Sequence, residues 1–185
     1  MATADSTTLT GTWNIDPQHS RIGFSTRHAM VAKVRGAFNE LTGIVIVDGE
    51  HPEKSHVEVT VKMASIDTRS QQRDDHLRSA DFFDVETYPE MRFVSERIEE
   101  VDDSSYLVTG PLTIRDITRT ITIPLAFTGV ESDPTGQLHA GFEGTRRIDR
   151  REWGVAWNTP LDSGGVLVSD KILLEFELEL LKEAD

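Results

Sequence analysis

The densest group of reactive side chains is the stretch QQRDDHLRSADFFD, residues 71–84, where Asp74, Asp75, His76, Asp81 and Asp84 stand among Arg73, Arg78, Phe82 and Phe83. Imidazoles and carboxylates are the donors of metal centres and of acid/base pairs. Their spacing argues against both. On a helix, residues that share a face lie three or four apart, so His76 meets Gln72, Arg73, Ser79 and Ala80, none of them a carboxylate. Asp75 points about 100° away from it. A metal would need donors from far along the chain, such as His19 or His28, and no metal is expected. The stretch reads instead as a short helix begun by a capping box, in which Thr68 accepts from the amide of Gln71 and Asp74 pairs with Arg78 on the wet face. Leu77, Ala80, Phe82 and Phe83 then form an apolar edge that must lie against something.

Other chemistry is sparse. The chain has no cysteine and contains no GxSxG, P-loop, GxGxxG or HExxH pattern. In Asp16-Pro17-Gln18-His19-Ser20 the histidine and serine are neighbours, which on extended chain face opposite ways. That arrangement suits the anchoring of a strand entry better than a nucleophile and its base. The run from Arg146 to Arg151 admits two readings: a grip for a phosphate or carboxylate, to which the arginine fork is suited, or basic relief on an acidic surface.

The elements that must position these groups are strands. His56–Met63 alternates apolar and polar without a fault, as does 120–127 apart from Pro124. Looser alternation marks 21–28, 34–47, 91–98, 106–114 and 171–180, separated by Asp48-Gly49, 102–105 and 132–136. The run 146–154 reads as too charged for a core strand and ends at glycine. Seven or eight long one-sided strands hide their edges best by closing into a barrel, which can be solid or can hold one small ligand. The expected fold is therefore all-β, an antiparallel barrel of about eight strands with one or two short helices. Residues 1–11 read as a disordered tail and 12–182 as one barrel domain.

Bulk properties weigh against some functions. A formal net charge of -13 over 185 residues repels nucleic acid and anionic lipid surfaces. No apolar window is long enough for a membrane-spanning helix. With neither cysteines nor an apolar leader, the expected location is cytoplasmic.

In order and spacing, several segments resemble the YceI-like family, also described as polyisoprenoid-binding and lipocalin-like. They are Trp13-Asn14-Ile15-Asp16-Pro17 with His19-Ser20, Phe24, His28, Gly36-Ala37-Phe38, Ser65-Ile66-Asp67-Thr68, 72–84 with Tyr88-Pro89, 110–114 with Thr118-Arg119, and Arg150 with Trp153-Gly154. Arg115-Asp116 stands where His-Gly is common in that family, and Trp153 where Phe is common. The resemblance implies an extended barrel around an apolar channel that binds an isoprenoid lipid such as a quinone, polyprenol or polyprenyl phosphate. It implies no catalysis, no cofactor other than the bound lipid, and a homodimer. Alternation nominates Ile22, Phe24, Phe38, Val57, Val59, Val61, Phe93, Ile114, Ile121, Ile123, Leu125, Phe127, Ile172, Leu174 and Phe176 for the channel wall. Phe82, Phe83 and Trp153 are expected to belong to the channel as well, Leu77, Phe82 and Phe83 closing or lining it, with His28, Arg150 and Arg151 at a head group. Two other readings stay open: an enzyme acting on such a head group through His28, His76 or Asp16, or a solid barrel with no ligand.

Overall fold

A computed structural model of the protein describes residues 6–185. In chain order the elements are β1 (Gly11–Ile15), β2 (Arg21–His28), β3 (Ala32–Phe38), β4 (Leu41–Val47), β5 (His56–Lys62), β6 (Ile66–Asp67), α1 (Gln71–Arg78), β7 (Glu90–Val94), β8 (Arg97–Asp102), β9 (Ser105–Ile114), β10 (Ile117–Ser132), β11 (Leu138–Asp149) and β12 (Lys171–Lys182). Eight strands close an antiparallel barrel in the order β1-β4-β5-β7-β9-β10-β11-β12, with β12 returning to β1. Closure leaves no long free edge within the circuit. β12 is long enough to use one edge twice: 180–182 pairs with β1, while 173–177 pairs with β2, which carries β3 and then β6. The barrel is thereby lengthened at the β2 end, and α1 packs beside β6.

The even spacing expected of 171–180 holds. Ile172, Leu174, Phe176 and Leu178 pack against the core, as do their partners Ile148 and Phe142 in β11. Three boundaries differ from expectation. The run 34–47 is two strands, broken at Asn39-Glu40, and 91–98 is likewise split between β7 and β8. The charged run 146–154 is the end of β11 followed by a 3-10 turn at Arg150–Trp153. Its charge misled because a barrel wall sends alternate side chains to water. The tail is also shorter than 1–11. Ser6–Leu9 forms a 3-10 turn, Leu9 is buried, and the Trp13 indole donates to the Leu9 carbonyl at 2.7 Å. Residues 1–5 of that expected tail lie outside the described residues. No helix among the described residues is long and apolar enough to cross a membrane.

The helix α1 begins at Gln71 as expected, but its cap is Ser70, whose hydroxyl accepts from the Arg73 amide at 3.4 Å. Thr68 is occupied elsewhere. Its amide and hydroxyl both donate to the buried carboxylate of Asp74, at 2.9 and 2.5 Å. Arg73 closes the knot by donating to the Thr68 hydroxyl at 2.7 Å and to its carbonyl at 2.6 Å. Asp74 is thus satisfied inside the fold, and Arg78 pairs with Asp75 at 3.1 Å instead. Arg78 also donates to the carbonyls of Ala64 and Ile66, which fixes the helix against the chain leading into it.

Candidate functional site

The barrel is hollow. A cavity of about 160 Å³ runs along its axis from α1, and a second of about 90 Å³ occupies the opposite end. Val57, Val108, Leu125 and Leu178 line both, so the two chambers adjoin across a shared waist. The inward faces of β2, β5, β9, β10 and β12 form the wall because period-two strands present every second residue to the interior. A Cβ on Gly36 would lie 2.5 Å from the Phe24 ring, so glycine there leaves room for a wall residue.

Nearly all the nominated residues come together in the large chamber: Ile22, Phe24, Phe38, Val57, Val59, Val61, Phe82, Phe83, Phe93, Ile114, Ile121, Ile123, Leu125, Ile172, Leu174 and Phe176. Two apolar ones do not. Phe127 lies at the bulge where the β10–β11 register slips, and packs on Phe142, a wall residue of the small chamber, at 5.3 Å. Trp153 is buried in the core, its indole donating to the Leu112 carbonyl at 2.9 Å. It is a packing residue with a satisfied N–H rather than a wall of the channel. Alternation could also have found Met63, Met91, Val108, Leu112 and Leu178, which keep the parity of nominated neighbours, while Ile148 lies in β11, from which no residue is nominated. Nothing local in the sequence points to Val155 or Val168, which enter from the segment between β11 and β12.

At the helix side, Leu77, Phe82 and Phe83 line the large chamber. His76 is flanked by aromatic rings and one carboxylate. Its ring stands edge-on to Phe82 and Trp157, with centroids 5.0 and 4.6 Å away, and Nε2 lies 2.8 Å from Asp81.

The three nominated head-group residues do not come together. Only Arg150 borders the cavity, and its guanidinium donates to the carbonyls of Ser169, Val155, Trp157 and Val168 at 3.0, 2.7, 3.0 and 3.4 Å. Asp170 stands 3.6 Å away, and burial pulls the arginine pKa below its ordinary value against the pull of that carboxylate. Arg150 therefore ties the 155–169 segment to the barrel. Arg151 lies largely in water and is held by Asp149 at 2.8 Å, a contact that drives the Asp149 carboxyl far below the usual carboxylate range. His28 is exposed, its backbone bridged to Val168. Among the described residues, Thr26 and Arg150 are the only polar side chains lining the large chamber. None of His28, His76 and Asp16 lines either chamber.

On the outer wall, Asp16, His19 and Glu179 bring one donor atom each within 4.8 Å of the others. The atoms are already paired: His19 Nδ1 with Asp16 at 2.6 Å, and Glu179 with His139 Nδ1 at 2.6 Å, whose Nε2 lies 3.1 Å from Asp133. Ser20 anchors the strand entry as expected, its hydroxyl accepting from the Glu179 amide at 2.9 Å. Glu179 first and then Asp133 raise the His139 pKa above its ordinary 6.5. Thr135 and then His139 hold Asp133 far below the usual carboxylate range, and His19 lowers Asp16. A histidine with a raised folded pKa stabilises the fold fully below about pH 6.5 and loses that contribution as pH rises through the folded value. The lowered aspartates contribute above about pH 3.8 and lose it as pH falls. The stability advantage of the wild type over His139→Gln is therefore expected to be largest near pH 5 and to shrink by pH 9. Paired thermal melts at the two values check this, and an advantage that stays constant or grows toward pH 9 refutes it.

Sequence comparison agrees with this architecture. The model of the YceI-like domain matches residues 13–180. The chain belongs to the YceI-like family. A UPF0312 protein of Staphylococcus epidermidis is 35% identical over 170 residues, 90% of this chain and 95% of that one. Among solved structures, BcnA of Burkholderia cenocepacia superposes with a TM-score of 0.78 at 26% identity, covering 89% of this YceI-like chain and 98% of its own. A polyisoprenoid binding domain from Saccharophagus degradans superposes with a TM-score of 0.69, covering 92% and 98%; at 13% identity it shares the fold.

Proposed function

We propose that this protein is a non-catalytic carrier or store for a long-chain isoprenoid whose tail lies in the two-chambered channel and whose head is uncharged, as in an isoprenoid quinone or a polyprenol. The observation that carries this reading is the large chamber itself. Its wall is apolar except for Thr26 and Arg150, and the donors of Arg150 are engaged by backbone carbonyls. An ionic head buried there would find, among the lining residues, no cation with free donors to offset its desolvation. The Saccharophagus domain, described as polyisoprenoid-binding, supports the choice of tail. Cytoplasmic residence and a homodimeric state belong to the same proposal.

A polyphosphate-binding alternative would rest on Arg146. It occupies the inward register of β11 between Ile148 and Phe142, and its Nε is buried without a hydrogen-bond partner. Calorimetric titration of farnesol against farnesyl diphosphate, at low and high salt, separates the two. The alcohol is expected to bind at least as tightly as the diphosphate at both. A diphosphate advantage at low salt that Arg146→Gln or Arg151→Gln removes would establish a phosphate clamp and overturn the neutral-head reading.

A further inference from the structure

The hairpin joining β2 to β3 carries the most exposed apolar side chains in the described part of the molecule. Met30 is 65% exposed and Val31 78%, and Val166, 39% exposed, belongs to the loop that touches the same hairpin. The Ala29 amide donates to the Leu167 carbonyl at 2.7 Å, and a Cβ on Gly165 would meet the Met30 sulfur. Ala29 and Met30 both adopt positive φ, 48° and 62°, where side chains are strained and Asn-Gly would be the relaxed choice. The hairpin is thus a turned-out apolar tip. It is continuous with the cavity wall, since Ile22, Phe24 and Thr26 of β2 line the large chamber on the way up to it, and Val168, bridged to His28, lines it too.

Charge sets this end apart. No aspartate or glutamate occurs between Asp16 and Glu40, in a chain with 32 acidic and 19 basic residues, whereas Arg21, Arg27, Lys33 and Arg35 all fall there. Arg21 is paired with Glu175. Arg27, Lys33 and Arg35 are exposed and enter no ion pair among the described residues, and the one hydrogen bond from the Arg27 side chain goes to the Val31 carbonyl. The facing loop contributes one acid, Asp162, and Asp170 beyond it is engaged by Arg150 and Arg151.

We propose that this tip docks the barrel on an anionic lipid bilayer, with Met30 and Val31 entering the boundary between head groups and acyl chains and Arg27, Lys33 and Arg35 contacting the anionic head groups, so that the large chamber faces the membrane. The surface chemistry favours this occupant over a second copy of the chain. Protruding apolar residues ringed by unpaired cations are the pattern of interfacial anchoring, and each cation near an anionic surface contributes to adhesion within a Debye length even when net charge opposes it. A second copy with a net charge of -13 would bring the same cations face to face at a symmetric contact. The docking role rests on the carrier reading, since a carrier of a water-insoluble tail must load from and unload to a bilayer.

Flotation of the full chain with extruded vesicles, without any isoprenoid, tests it. Binding is expected to phosphatidylcholine vesicles containing about 30% phosphatidylglycerol and to weaken on raising the salt. The double variant Met30→Ser, Val31→Ser and the triple variant Arg27→Gln, Lys33→Gln, Arg35→Gln should each lose roughly tenfold or more of that partitioning. Farnesol titration in solution should be unchanged in both, because none of these residues lines the cavity. Equal partitioning of wild type and variants, or none to the anionic vesicles, overturns the proposal. So does a wild-type dimer that Met30→Ser, Val31→Ser dissociates in size-exclusion chromatography, which makes the tip a protein interface. Loss of farnesol binding in the wild type, with docking intact, refutes the carrier reading alone.

Discussion

Arg150→Ala is expected to lower unfolding stability by about 4 kcal/mol while leaving tail affinity, measured well below the melting temperature, within a fewfold of the wild type. The guanidinium is 6% exposed and serves four backbone carbonyls from the segment between β11 and β12. Removing it takes the donor from the Ser169, Val155 and Trp157 carbonyls in a place water reaches poorly, at roughly 1 kcal/mol or more each, while the Val168 carbonyl keeps Asn158 at 2.7 Å and Asp170 keeps only Arg151. For a domain of this size the melting temperature should fall by about 10 °C. Arg150→Lys should recover little, since an ammonium has three donors on one atom and cannot span acceptors spaced for a planar fork. Urea melts of the two variants beside farnesol titration give both readings. If Arg150→Ala melted like the wild type and lost its affinity for an anionic-headed lipid, Arg150 would be a head-group ligand and its structural role would be wrong.

This arginine also shows where sequence reasoning stops. Strands are legible because their signal is local: a wall residue such as Val57 or Phe176 announces itself by the residues two positions away. The parity of β2, β5, β9, β10 and β12 therefore yielded most of the channel wall, and Met91, Leu112 and Leu178 were missed only by not extending it. Arg150 has no such signal. Whether a guanidinium grips a ligand or a loop depends on acceptors five to nineteen residues further on, brought to it by a chain path that carries no period. The same holds for Thr68, which looked like a helix cap but is drawn to Asp74, leaving the cap to Ser70. At Phe127 the failure is one of register. A bulge between Phe127 and Gly129 changes which face follows, and no residue before it marks the slip.

Narrowing the waist is expected to cut the channel in two, and this is the sharpest test of how the tail is held. Leu125 of β10 borders both chambers, as do Leu178 of β12, Val57 of β5 and Val108 of β9. An indole at position 125 would fill the constriction, and the adjoining empty space limits the overpacking penalty to about 1–2 kcal/mol. In the wild type each added isoprene unit buries apolar carbons worth about 0.8 kcal/mol per CH₂ before the cost of ordering the chain, so affinity should climb steeply with tail length. It should level off once the tail reaches the floor formed by Leu9, Ile15, Val47 and Leu180. Leu125→Trp should bind short tails within a fewfold of wild type and reach its plateau earlier. Its affinity for the longest tails should fall by roughly tenfold or more, since at least one isoprene unit then stays outside the barrel. Competition titrations with alcohols of two to ten isoprene units trace both curves. Identical length profiles for the two proteins would mean that the tail never passes the waist, and a flat wild-type profile would mean that it is not held in the channel at all.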